Sequence, residues 1–93
     1  MEQAEMRTAQ TRFLRAVHAL AISTESLQER VGAAWLELMA LRRDDLPPAL
    51  HEAFADVEDE MLAAPDDVTT VTDEAALAAA ERILRLAIEL LGS

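Results

Sequence analysis

Residues 31–41, VGAAWLELMAL, decide the fold, because Glu37 is the only charged residue among them. Apolar residues here recur at alternating spacings of four and three, which places them along one side of an α-helix. They are Leu27, Val31, Ala34, Leu38 and Leu41, and Trp35 widens the line. A second apolar line on another side consists of Gly32, Leu36, Met39 and Ala40. One neighbour cannot cover both lines, so we expect this helix to be central in a bundle or an oligomer.

The composition predicts one helical domain, residues 1–93, that buries about 60 to 65% of its unfolded surface. Hydrophobic residues make up 52% of the chain, but only Phe13, Trp35 and Phe54 are aromatic. The core should therefore rest on leucine and alanine, which favour helix. The sequence has no cysteine, which fits a reducing compartment. Neither a secretory signal nor an apolar run of about 20 residues is visible. We therefore expect a soluble, cytoplasmic protein that does not bind membranes.

The net charge of −10 is concentrated in one segment. Residues 1–43 nearly balance, with six arginines against five glutamates, whereas residues 44–72 contain nine acidic residues and no basic one. Binding to DNA or RNA needs a basic surface for the phosphates. Direct nucleic-acid binding is therefore not expected. The alternative left open is contact through a small arginine patch on the first helix.

Periodicity and capping residues predict four helices. The first spans about residues 3–22, and its expected buried face consists of Met6, Ala9, Phe13, Ala16 or Val17, and Leu20. The second spans about residues 25–42 and is capped by Ser23 or Thr24, unless the first helix simply bends into it. The third starts at Pro47 or Pro48 and ends before Pro65. Its inward stripe is Leu50, Phe54, Val57 and Met61.

An extended linker should follow Pro65, with Val68 or Val71 packed against the bundle. Thr72 or Asp73 then caps the fourth helix, and Gly92 is expected at its C′ position. This helix also has two apolar lines. The first, expected to face inward, is Leu77, Ala80, Leu84, Ala87 or Ile88, and Leu91; the second is Ala76, Ala79, Ile83, Leu86 and Leu90.

The stretch AISTESLQER, residues 21–30, resembles one found in small, uncharacterised bacterial all-helical proteins. Those proteins continue into an Asp-Leu-Pro segment that is similar to Asp45, Leu46 and Pro47 here. The resemblance covers about the middle third of the chain. It implies a bacterial origin and a helical fold, and it assigns no catalytic or binding residue.

Four amphipathic helices with short connections predict an all-α, up-down four-helix bundle. The surplus apolar surface of the second and fourth helices predicts a homodimer, most simply with two-fold symmetry. The candidate partner surface consists of Trp35, Leu36, Met39, Ile83, Leu86 and Leu90. The alternative is a monomer with a wide, alanine-rich core.

The sequence contains few residues arranged for catalysis or metal binding. Neither His18 nor His51 follows a glutamate by three residues, as a carboxylate-bridged di-metal bundle requires. We expect His18 to be a half-buried packing residue. We expect Glu37 to lie on a narrow exposed strip of the second helix or to pair with an arginine. The alternative is that Glu37 is a buried acid with a functional role. No nucleophile turn or phosphate-binding glycine loop is present.

The third helix carries a candidate acidic surface, which consists of Glu52, Asp56, Asp59 and Glu60. Carboxylates of this kind bind hard cations such as Ca²⁺, but a rigid helix face seldom brings enough of them together. A solvated face is therefore the preferred interpretation, and no metal or cofactor is predicted.

These observations favour a non-catalytic, helical protein–protein interaction or regulatory module that self-associates. The alternative is an acidic decoy that docks residues 44–67 on a basic protein, with binding that weakens as salt rises. A small-molecule or metal-dependent enzyme is the third hypothesis.

Overall fold

The computed structural model describes residues 2–22 and 24–92, with side chains described from Arg7 onward. Their α-helices are α1 (Glu2–Ile22), α2 (Leu27–Leu38), α3 (His51–Ala63) and α4 (Asp73–Leu91). Short 3-10 turns occur at Arg43–Asp45, Pro48–Leu50 and Val68–Thr70. The all-α prediction is confirmed, and the four helices pack together. The predicted packing of Met6 and capping by Ser23 lie outside the described residues.

The core is one cluster of buried apolar side chains to which every helix contributes. Helix α4 contacts each of the other three helices. Phe13 of α1 and Phe54 of α3 meet edge to face, with their ring centroids 6.4 Å apart, an arrangement that aromatic quadrupoles favour. Both rings are fully buried, so this pair joins α1 to α3 inside the core.

Helix α1 buries the predicted face. Ala9, Phe13, Ala16 and Leu20 are buried, and Val17 packs partly against them. His18 is exposed, so the prediction that it is half-buried is wrong. The reason is geometric, because five residues of helix turn His18 about 140° away from Phe13.

Helix α2 is shorter than predicted at both ends. Its N-cap is Ser26, not Thr24, and the Ser26 hydroxyl oxygen accepts a hydrogen bond from the Glu29 backbone N–H at 3.2 Å. The helix ends at Leu38, four residues before the predicted end. Beyond it the chain turns, and the Asp45 carboxylate accepts from the Arg42 backbone N–H at 2.8 Å. The turn directly after Leu38, in which the Leu41 backbone N–H donates to the Leu38 carbonyl oxygen at 3.0 Å, returns Leu41 to the core, where it is buried.

Helix α3 is preceded by the turn Pro48–Leu50, which begins at one of the two predicted prolines. His51 Nε2 lies 2.9 Å from the Leu46 carbonyl oxygen and ties the start of α3 to the preceding loop. The predicted inward stripe is confirmed, with Leu50, Phe54 and Val57 buried and Met61 partly buried.

The segment after Pro65 contains a 3-10 turn where an extended linker was predicted. Val68 and Val71 both pack partly against the core, as expected. Gly32 of α2 makes room for this turn, since a Cβ atom at residue 32 would lie 3.2 Å from Val68 Cγ1. The Gln28 amide secures the same region by donating to the Val71 carbonyl at 3.0 Å.

Helix α4 is rotated relative to the prediction. The line expected to face inward is mostly exposed at Leu77, Leu84, Ile88 and Leu91, and only Ala80 and Ala87 of that line are buried. The second line is the buried one: Ala76, Ala79, Ile83, Leu86 and Leu90. Two polar contacts favour this rotation, one from Arg82 to Glu60 at 2.8 Å and one from Gln28 to Asp73 at 2.6 Å.

Both ends of α4 have identifiable caps. Thr72 is the N-cap, and its hydroxyl oxygen accepts from the Ala75 backbone N–H at 3.2 Å, which confirms one of the two predicted caps. Gly92 is the C-cap with φ −86°, so it does not adopt the left-handed conformation expected of a C′ glycine.

We expect Ser26→Ala to lower the free energy of unfolding by about 1 kcal/mol, because the Glu29 N–H loses its side-chain acceptor. Urea denaturation followed by circular dichroism measures the change. Thr24→Ala is the matched control, since Thr24 is exposed and precedes the cap. Equal effects of the two substitutions would contradict the capping role of Ser26.

Gly32→Ala tests the close approach of the Val68 turn. Alanine favours helix over glycine by about 1 kcal/mol, but its Cβ would press on Val68. We expect the gain in free energy of unfolding to be larger in a Val68→Ala background than in the wild type. A double-mutant cycle in urea measures this difference, and identical gains in both backgrounds would show that Val68 does not constrain residue 32.

Candidate functional site

The six residues predicted to form a partner surface do not lie on one accessible face. Trp35 is only 8% exposed, and Ile83, Leu86 and Leu90 are buried in the same core cluster. These four are corrected to core residues. The rotation of α4 turns the line of Ile83, Leu86 and Leu90 inward, and Trp35 lies on the buried side of α2. Leu36 and Met39 remain exposed, at 70% and 65%.

The rotation of α4 instead exposes a different apolar row, which we call the α4 outer stripe. It consists of Leu77, Leu84, Ile88 and Leu91. Ile88 is the most accessible of them, with 71% of its surface exposed. Spacings of seven, four and three residues keep the row on one side of the helix. Glu81 occupies the remaining position between Leu77 and Leu84.

Helix α1 borders the α4 outer stripe near its C-terminal end. The Gln10 amide donates to the Leu90 carbonyl oxygen at 3.5 Å, so this edge of α1 meets the last turns of α4. Leu14 lies one helical turn after Gln10 on the same edge and is exposed. Leu14 is therefore a further exposed apolar residue on the edge of α1 that meets the end of α4.

The candidate acidic surface on α3 is divided between exposed and paired carboxylates. Glu52, Asp56 and Asp59 are exposed, whereas Glu60 is partly buried and pairs with Arg82 of α4. Its neighbour Glu58 pairs with Arg43 at 3.0 Å. Among the described residues no group of three or more potential ligands could hold a metal ion.

Two ionisable groups in this region have shifted pKa values. Glu60 raises the pKa of Arg82, first through its hydrogen bond and then through its charge. The pKa of Asp67 is lowered, because its carboxylate accepts from the Thr69 hydroxyl at 2.5 Å and from the Thr69 backbone N–H at 3.0 Å. These contacts stabilise the ionised form of Asp67.

Glu37 is half-buried and pairs with Arg12 of α1, with 3.2 Å between Oε2 and Nη1. The predicted pairing with an arginine is therefore confirmed. Arg30 makes a second link between the two helices by donating to the Leu20 carbonyl oxygen at 3.0 Å. Glu37 thus helps to hold α1 against α2.

A cleft of about 370 Å³ lies where α2, α4, the end of α3 and the 65–72 segment meet. Its lining residues are Trp35, Glu60, Ala63, Ala64, Pro65, Thr70, Val71, Thr72, Ala75 and Ala79. The lining is mostly apolar, and Glu60 is its only charged residue. Trp35 Nε1 and Glu60 Oε1 are buried without hydrogen-bond partners. This cleft is not apparent from the sequence, because its walls come from four separate segments.

A smaller cleft of about 200 Å³ lies between α3 and α4. It is lined by Ala53, Asp56, Arg82, Arg85, Leu86 and Glu89. Arg82 lines this cleft and Glu60 lines the larger one, so their ion pair stands between the two.

The comparisons with known proteins match this chain to no family model, no curated protein and no solved structure. None of the helices formed by residues 2–22 and 24–92 combines the length and apolarity needed to cross a bilayer. The exposed stripe and the clefts are therefore the features from which a function can be inferred.

We expect Thr69→Ala to raise the pKa of Asp67 toward its ordinary value, because one of two hydrogen bonds to the carboxylate is lost. The lowered pKa stabilises the folded state above about pH 4, and this contribution disappears as the pH falls through the pKa of folded Asp67. Carbon-detected NMR titration of the Asp67 carboxyl measures the shift. Thr70→Ala is the control, since the Thr70 hydroxyl donates to the Asp67 backbone carbonyl. An unchanged pKa in Thr69→Ala would contradict this assignment.

Proposed function

We propose that the protein is a non-catalytic interaction or regulatory module that self-associates through the α4 outer stripe. The observation that carries this proposal is the exposure of Leu77, Leu84, Ile88 and Leu91 in a row on one helix. Exposed apolar rows of this kind mark partner sites on small proteins. The proposal replaces the partner surface predicted from sequence and retains the homodimer and the cytoplasmic location.

The spacing of the stripe supports pairing with another helix. In a heptad frame Leu77, Leu84 and Leu91 occupy d positions, and Glu81 and Ile88 occupy a positions. Leucine at d and isoleucine at a favour two-stranded packing. Glu81 is a polar residue at an a position, which limits the number of registers at some cost in stability. A second copy of α4 is therefore the partner that fits the stripe.

We also propose that the four helices run in up-down order. Two contacts support an antiparallel α1 and α2, since Arg12 meets Glu37 while Leu20 meets Arg30. This order leaves one long side of α4 at the surface. A two-fold axis beside that side would bring two identical stripes together.

The acidic decoy remains the alternative function, with less support. Glu58 and Glu60 already pair with arginines of the same chain. Asp45 is also occupied, as acceptor for the Arg42 backbone N–H. The carboxylates that remain exposed on α3 are Glu52, Asp56 and Asp59. Fewer free charges leave a weaker field to attract a basic partner.

We expect Ile88→Glu to dissociate the dimer. Burying an isoleucine contributes about 1.5 to 3 kcal/mol, and a symmetric dimer loses this contribution twice. The dimer dissociation constant should therefore rise about 100-fold or more. Sedimentation equilibrium over about 1 to 100 µM protein measures it, a range that covers micromolar dissociation constants.

Leu62→Glu is the matched control, because Leu62 is 85% exposed on α3 and lies outside the stripe. It should leave the mass unchanged. A wild-type protein that stays monomeric over the whole range would refute self-association. Loss of the dimer at about 0.5 M salt would instead indicate that charge, not the apolar stripe, holds it together.

A further inference from the structure

The larger cleft has the size and lining of a small-molecule site. Its volume of about 370 Å³ lies within the range of ligand pockets, which are typically apolar with a few polar groups that fix orientation. Ala63, Ala64, Ala75 and Ala79 supply short apolar walls, and Trp35 supplies a large aromatic surface. An apolar body the size of one aromatic ring would fit against these walls.

The charge of the cleft favours a cation. Glu60 is its only charged lining residue. One Glu60 oxygen, Oε2, pairs with Arg82 at 2.8 Å, while the other, Oε1, is buried without a partner. A buried carboxylate oxygen is costly to leave unpaired. An ammonium group would donate to Oε1 without displacing Arg82.

Trp35 needs a different kind of group on the ligand, namely a hydrogen-bond acceptor. Trp35 is 8% exposed, and its indole N–H is buried without an acceptor. Indole nitrogen is a donor only, so an ammonium group cannot satisfy it. An oxygen acceptor on the ligand would do so. The ring face can also attract a cation that approaches it.

We infer that the cleft between α2, α3 and α4 binds a small amine with an apolar body and an oxygen acceptor next to the ammonium group. The ammonium donates to Glu60 Oε1, the oxygen accepts from Trp35 Nε1, and the apolar body packs on the alanines. Both protein atoms are shielded from water. Binding therefore requires the cleft wall to shift enough to admit the ligand to both atoms.

Trp35 is the only tryptophan, so its fluorescence reports directly on the cleft. The probe is 2-amino-1-phenylethanol, compared with 1-phenylethane-1,2-diol and with mandelate. All three compounds share the ring and the benzylic hydroxyl. In the diol a neutral hydroxyl replaces the ammonium, and in mandelate a carboxylate replaces the whole aminomethyl group. We expect a saturable fluorescence change with the amine, binding about tenfold weaker for the diol, and none for mandelate, which Glu60 repels.

Glu60→Gln should weaken binding of the amine about tenfold and change binding of the diol little, since the charge is lost while the oxygen remains. Glu52→Gln is the matched control, because Glu52 is an exposed acid on the same helix and does not line the cleft. Circular dichroism verifies that each variant is folded. If Glu60→Gln does not fold, the ranking of the three compounds on the wild-type protein still decides the outcome.

Three results would overturn the inference. They are no saturable fluorescence change with the amine, equal binding of all three compounds, or unchanged amine binding by folded Glu60→Gln. A dimer lost in Ile88→Glu with amine binding retained would support the cleft as a site separate from the α4 outer stripe.

Discussion

Close packing of three helices against α4 is the constraint on which the rest of the structure depends. The buried side of α4 carries four alanines, Ala76, Ala79, Ala80 and Ala87. Short side chains let neighbouring helices approach closely. The larger groups of the core are then supplied mainly by the neighbours, among them Phe13, Phe54 and Leu38. This division fixes the rotation of α4, and the rotation determines which of its apolar rows reaches the surface.

The sequence predicted the helices and the buried faces of α1 and α3, because each of these helices has one dominant apolar line. It did not predict the rotation of α4, whose two lines are similarly apolar. Only contacts with other segments, such as that between Arg82 and Glu60, distinguish them. The start of α2 was predicted too early, with Ser23 or Thr24 as its cap, although Ser26 and Glu29 have the spacing of a capping box. The cleft could not be predicted, because its lining residues are distant in sequence.

Charge in this protein orients segments more than it stabilises them. The pairs Arg12–Glu37, Arg43–Glu58 and Arg82–Glu60 are all partly exposed. Pairs of this kind contribute at most about 1 kcal/mol each. Their positions matter more, because each pair joins two segments that are separate in sequence. The pair between Arg82 and Glu60 also leaves one carboxylate oxygen facing the interior, and so links the packing of α4 to the chemistry of the cleft.

The central position of α4 has a consequence for synthesis of the chain. Helix α4 follows α1, α2 and α3 in sequence, and nascent chains emerge in that order. Helices α1 and α2 can pair early, through Arg30 and the Leu20 carbonyl. Apolar core side chains that emerge earlier, including Phe54 and Trp35, lack the cover that α4 supplies while α4 is still in the ribosome. The nascent chain therefore completes its core only when α4, which contacts all three preceding helices, has emerged.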